Sequence, residues 1–147
     1  MQLEEEIKQK NFRDEFHKVV LNVTYSANWL QSRQAKYFRQ FGLTCPQFNI
    51  LRILRGQYPH PATVNMLIAR MLDKTSNASR IVDRLEVKGW VTRRQCPDDR
   101  RTVDVLITGA GLKLLEEIDA SDFPFGVENL TEAEARQLNQ LLDKTRN

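Results

Sequence analysis

The sequence predicts a mainly α-helical chain carrying one small β-hairpin, and three patterns in it support that reading. Apolar residues recur at three- and four-residue intervals in successive segments from Phe16 to Leu142. Glycine and proline number only 6 and 5, too few for an all-β architecture rich in turns. Between Trp90–Arg94 and Thr102–Thr108 the helical period gives way to alternation, the mark of two strands.

At 147 residues the chain is long enough for one compact domain with a proper core and too short to suggest two. Within it, residues 43–108 carry the helix and strand signals of one small unit, and 1–41 and 109–147 read as a helical region around it. Hydrophobic residues at 41% and charged residues at 28% are ordinary for a globular protein. No apolar run approaches the ~18 residues of a membrane span, and the start MQLEEEIKQK is acidic and polar rather than a signal peptide. A cytoplasmic protein with no membrane partner is therefore expected. Cys45, Cys96, His17 and His60 lie far apart, with no zinc-type spacing and no disulfide framework, so neither metal nor cofactor is expected.

Residues 1–41 contain neither glycine nor proline. Phe16, Val20, Val23, Ala27, Leu30, Tyr37 and Phe41, with Gln34 filling one slot, alternate in steps of four and three, an a/d heptad seam. A helix from about residue 4 to 41 would run roughly 50–55 Å. It is read either as an intersubunit helix or as a broken pair of core helices.

Thr44, with Gln47 three residues on, forms a capping box, Pro46 is tolerated in the first turn, and Leu43 and Phe48 can close a hydrophobic staple. Phe48, Leu51, Ile53 and Leu54 give this helix its buried stripe to about Gly56. Tyr58-Pro59-His60-Pro61 is a loop. Thr63 caps a short helix with Val64, Leu67, Ile68, Met71 and Leu72 as its apolar positions. After a turn at Asp73-Lys74, a second helix buries Ala78, Ile81, Val82 and Leu85 and ends at Gly89. The strands follow, joined by turn chemistry at Pro97-Asp98-Asp99. Thr108 caps a helix through Leu112, Leu115 and Ile118, which Phe123-Pro124-Phe125-Gly126 breaks. A second capping box, Thr131 with Glu134, opens a last helix burying Ala135, Leu138, Leu141 and Leu142.

Two short helices joined by a tight turn and followed by a hairpin make a winged helix-turn-helix, here with a helical dimerisation region around it. Charge agrees with that assignment. From Arg70 to Arg101 there are nine positive and five negative residues, whereas from Leu112 to Asn147 there are four and eight. A basic middle and an acidic tail fit a polyanion docking on the middle. On the second helix, Thr75, Ser76, Asn77 and Ser79 are small and polar near the N-terminus, so a backbone can approach base edges. Arg80 and Arg84 can reach guanine acceptors or phosphates. Arg100 and Arg101 stand at the hairpin tip, where a guanidinium can enter a minor groove.

These residues resemble the MarR family of bacterial transcriptional regulators. The resemblance lies in Leu43-Thr44 with Gln47, in TSNASRIVDRLEVKGWVTRR over Thr75–Arg94, in Asp99-Arg100-Arg101, and in Leu106-Ile107-Thr108 with Gly111. It implies a homodimer held by N- and C-terminal helices, binding double-stranded DNA at a palindromic operator. It implies repression or activation, often relieved by a small aromatic or phenolic ligand. Carried over, Ser76–Arg80 and Arg84 match the recognition helix, Arg101 the wing arginine, and Asp99 the acidic residue that braces it. Asn77 and Ala78 replace a common threonine and valine, so operator preference is not inherited.

Alternatives stand beside each assignment. Arg80 and Arg84 can instead pair with Asp83 or Glu86 on the surface, and Asp99 can be a simple turn former. Trp29, Tyr37, Phe41 and Phe48 can line an effector pocket where helical region and DNA-binding unit meet, or can be core. Cys96, at the base of the wing, is a candidate thiol sensor. A winged helix used for protein–protein contact without DNA predicts apolar residues on the exposed face of the second helix, where this chain has Ser, Asn and Arg. No nucleophile elbow and no glycine-rich phosphate loop is present, so an enzyme is not expected.

Overall fold

The computed structural model describes residues 1–123 and 125–147. The order is α1 (Leu3–Glu6), α2 (Glu15–Phe38), a 3-10 turn (Arg39–Phe41), α3 (Cys45–Gln57), β1 (Ala62–Thr63), α4 (Val64–Arg70), α5 (Ala78–Val87), β2 (Val91–Gln95), β3 (Val103–Ile107), α6 (Gly109–Asp119) and α7 (Glu132–Lys144). The mainly helical fold with a small sheet is as the sequence predicts. Two compact units emerge, Met1–Gln34 with Pro124–Asn147, and Ala35–Phe123. Among the described residues, no helix is long and apolar enough to cross a membrane.

The second unit holds the core. Ile50, Leu51 and Leu54 of α3, Leu67 of α4, Val82 and Leu85 of α5, Val91 and Val105 of the sheet, and Leu115 and Ile118 of α6 are all buried. Thus α6, expected in the dimerisation region, packs into the winged unit. The sheet runs β1-β3-β2, all antiparallel. The hairpin register sets Val91 opposite Ile107 and Arg93 opposite Val105. The two-residue β1 pairs Ala62 with Val105 and Thr63 with Asp104, a strand too short to read from the sequence. Expected caps are present: Thr44, Thr63, Thr108 and Thr131 each accept a backbone N–H, from Gln47, Met66, Gly111 and Glu134.

Several expectations are corrected. The helix from 4 to 41 is interrupted between Glu6 and Glu15, where Lys8 takes φ 53°. The restart is capped by Asp14, whose Oδ1 accepts from the His17 amide at 2.7 Å. What remains of the helix, 24 residues, spans about 36 Å. In α3 the buried stripe is Gln47, Ile50, Leu51 and Leu54, while Phe48 and Ile53 lie at its margin. Helix α4 stops at Arg70, so Leu72 leaves the apolar face and is exposed. Helix α7 fully buries none of its residues: Ala135 and Leu142 are half-buried, and Leu138 and Leu141 are exposed. Of the break after α6, Pro124 lies outside the described residues.

Candidate nucleic-acid interface

The turn between α4 and α5 is held by side chains close in sequence. Asp73 accepts from the Thr75 amide at 2.9 Å, the Thr75 hydroxyl at 2.6 Å and the Ser76 hydroxyl at 2.8 Å. Those bonds, led by the Thr75 hydroxyl, hold the Asp73 carboxyl below the usual carboxylate range. The Lys74 ammonium donates to the carbonyls of Ile68 and Ala69, closing the C-terminal end of α4. The Leu72 amide donates to Asn49 Oδ1 at 3.0 Å, tying the turn to α3.

Helix α5 then starts at Ala78, three residues later than the stretch at Thr75 suggests, because Asn77 is its cap and accepts from the Arg80 amide at 3.1 Å. Three of the expected base readers, Thr75, Ser76 and Asn77, thus have their side chains engaged in building the helix entry. Ser79, Arg80 and Arg84 are exposed, and among the described residues their side chains bond to no neighbour. Opposite them, Ala78, Val82 and Leu85 are buried, which fixes the rotation of the helix. Gly89, at φ 78°, ends it by allowing a left-handed turn that sends the chain into β2.

The alternative pairing of Arg80 or Arg84 with α5 carboxylates is taken instead by Arg93 of β2. Its guanidinium reaches Asp83 at 2.5 Å and Glu86 at 3.2 and 3.4 Å, and its amide donates to Glu86 at 3.0 Å. Beside Arg93, Glu86 is held below its ordinary value, and the arginine is raised in turn. Sequence reasoning misses this clamp, since Arg93 lies across the Gly89 corner, beyond any helical spacing. Behind it, Arg94 sits 3.7 Å from Asp104, its cross-strand partner.

At the wing tip, Asp99 accepts from the Arg101 amide at 2.9 Å and from the Thr102 hydroxyl at 3.1 Å. Asp99 therefore braces the backbone of Arg101 rather than its guanidinium, which bonds to no described residue. Gln95 Nε2 closes the loop by donating to the Arg100 carbonyl at 2.9 Å. The Cys96 amide donates to the Thr102 carbonyl at 2.9 Å, and its thiol is free and half-buried. Burial pushes the thiol of Cys45, at the start of α3, up.

The expected pocket aromatics are placed differently. Tyr37, Phe41 and Phe48 pack with Phe38 and Phe123 at centroid separations of 4.2 to 6.2 Å, filling one another's space at the edge of the core. Trp29 belongs to the other unit, where Arg33 lies 5.5 Å from its ring. A cavity of about 500 Å³ opens elsewhere, between the start of α3 and the last turns of α5.

A winged helix-turn-helix with an exposed polar helix face, and with an Arg101 guanidinium at the wing tip that bonds to no described residue, agrees with what comparison finds. The model of the MarR family matches residues 43–103. The chain is similar to the HTH-type transcriptional regulator MgrA of Staphylococcus aureus, 27% identical over 137 residues, 92% of this chain and 90% of that one. It shares its fold with an Escherichia coli MarR variant complexed with operator DNA, at TM-score 0.76 and 24% identity, covering 92% and 99% of the two chains. It also shares it with BpsR of Bordetella bronchiseptica, whose DNA binding is regulated by 6-hydroxynicotinic acid, at TM-score 0.71 and 21% identity, covering 88% and 99%. Residues 43–103 thus match the MarR family, and the chain is similar to a transcriptional regulator over most of its length.

Proposed function

We propose that this regulator acts as a homodimeric repressor on a palindromic operator, from which a small ligand releases it. The observation that supports the reading is the division of α5 into one face with Ala78, Val82 and Leu85 buried and one face whose Ser79, Arg80 and Arg84 side chains bond to no described residue. Such a face suits a major groove, with Arg101 entering the adjacent minor groove and Arg100 serving a phosphate. Thr75, Ser76 and Asn77 flank the groove as the helix entry, and Asp99 sets the height of Arg101.

Dimerisation rests on the exposed stripe of α2: Phe16 at 82%, Val20 at 63% and Val23 at 45% are far more exposed than isolated apolar residues require. Leu138 and Leu141 of α7 are exposed too. A second copy covering these faces would set two α5 helices about 34 Å apart, one turn of duplex. Trp29 is a candidate for the ligand-facing wall of that region.

The experiment is fluorescence anisotropy on palindromic DNA taken from upstream of the chain's own gene. Specific binding should be two chains per site and should fall steeply with salt as counterions are released. Salt-insensitive binding, or one chain per operator, would remove this reading.

A further inference from the structure

Helix α5 is held by more than its buried face. On one flank Arg93 clamps Asp83 and Glu86. At its end a second contact reaches much further along the chain. Lys88, the C-cap of α5, is exposed, and its ammonium donates to the Gly42 carbonyl and stands 5.0 Å from the Trp90 ring centroid. Gly42 closes the 3-10 turn that follows α2, with φ 69° and its amide donating to the Arg39 carbonyl at 3.0 Å. A Cβ at Gly42 would lie 3.9 Å from the Lys88 ammonium and 4.0 Å from Trp90 Cη2, so the three residues share one corner. Trp90 is tied down through its backbone. Its amide donates to the Leu85 carbonyl at 3.1 Å, and its carbonyl accepts from the Thr108 amide at 3.0 Å. Among the described residues Lys88 pairs with no carboxylate. Both of its partners are fixed by backbone, so the ammonium is held to one place.

We infer that Lys88 is a positioning residue for operator recognition: it fixes the end of α5 against the corner after α2 and so sets the angle at which Ser79, Arg80 and Arg84 meet a groove. The inference rests on the reading of that face as the DNA-binding one. Leverage gives the contact its weight. Ten residues make α5 about 15 Å long, so a tilt of about 5° at its end moves the other end by about 1.3 Å. Groups that recognise a partner must be held to within about 0.5 Å. Ala78, Val82 and Leu85 fix the roll of the helix, whereas its swivel over the core is held from the flank by Arg93 and from the end by Lys88. Ser79 and Arg80 lie at the opposite end of α5 from Lys88, where a tilt about that end displaces them most.

The test uses the full chain with two variants that remove the charge, Lys88→Met and Lys88→Gln, and one that keeps it, Lys88→Arg. Lys88 is exposed, so all three should fold, which urea unfolding checks. In anisotropy titrations Lys88→Met and Lys88→Gln should bind operator about tenfold more weakly, with unrelated DNA bound within about twofold of wild type and the salt slope unchanged. Lys88→Arg should recover operator affinity to within about threefold, since a guanidinium also serves a carbonyl and a ring face. The charge-removing variants should differ from wild type in tryptophan emission, and because Trp29 is common to all of them the difference reports Trp90. Unchanged emission would overturn the inference, as would Lys88→Arg binding no better than Lys88→Met. Equal loss on operator and unrelated DNA, with the salt slope reduced by about one, would make Lys88 a phosphate contact instead. Lower unfolding stability with unchanged operator affinity would reduce it to a favourable charge at a helix end. A wild-type chain that bound no operator would fail the DNA reading of α5, and this inference with it. With wild type binding and the variants equal to it, the positioning role alone falls.

Discussion

Arg101 has its backbone amide fixed by Asp99 while its guanidinium remains unengaged by any described residue. A side chain with a held root and a free head loses less freedom on binding than one on a loose loop. Replacing Arg101 or Arg80 by alanine should therefore cost about 1–3 kcal/mol in specific DNA binding, with thermal stability unchanged. Anisotropy titrations against operator and unrelated DNA check this, and wild-type specificity in either variant would remove that residue from the interface. Gly111 is a different kind of residue-scale constraint. A Cβ there would lie 2.4 Å from the Trp90 carbonyl oxygen and 2.7 Å from Ile107 Cγ1. Backbone cannot yield as a side-chain tip does, so Gly111→Ala should destabilise by about 1–3 kcal/mol in urea unfolding. The caps at Thr44 and Thr131 were legible because a capping box is written within four residues. The Asp99 contact was not, because sequence cannot say whether a carboxylate meets its neighbour's amide or its guanidinium.

Between elements, Arg93 joins β2 to α5 and neutralises two carboxylates on the helix proposed to face phosphates. Arg93→Gln should weaken operator binding about three- to tenfold, the scale of a partly exposed ion pair. Adding Asp83→Asn and Glu86→Gln should recover most of the loss, because the uncompensated charge is then gone. No recovery would make Arg93 itself a DNA contact. Acid acts on the same junctions. Asp73 and Glu86 both titrate below their ordinary values in the folded chain, so their stabilisation is complete above about pH 4–5 and is lost as pH falls through the folded values. Melting at about pH 7 and about pH 3 should show a smaller acid loss for Asp73→Asn than for wild type. Helix positions were mostly readable because the 3.6-residue period of Ala78, Val82 and Leu85 is local. The break before Glu15 was hidden by the absence of glycine and proline, although Asp14 is a good cap in retrospect. Strand β1 depends wholly on β3, so no local signal announces it.

The two units differ in what holds them together. Ala35–Phe123 has a continuous core, whereas among the described residues of the other unit Leu3 is the one buried hydrophobic residue. The apolar stripe of α2 was legible as a seam, but a single chain's sequence carries no mark of what covers it. If a second chain covers it, each buried large side chain adds about 1.5–3 kcal/mol relative to exposure. The melting temperature should then rise with protein concentration, and Phe16→Glu should lower it and abolish that dependence. Concentration-independent melting of the wild-type chain would rule out this pairing. The uncovered stripe also bears on gene dosage. Where chains are scarce and mostly single, the paired form grows as the square of their number, so doubling expression quadruples the operator-competent species. A response steeper than linear in expression then follows from Phe16, Val20 and Val23, residues outside both α5 and the wing.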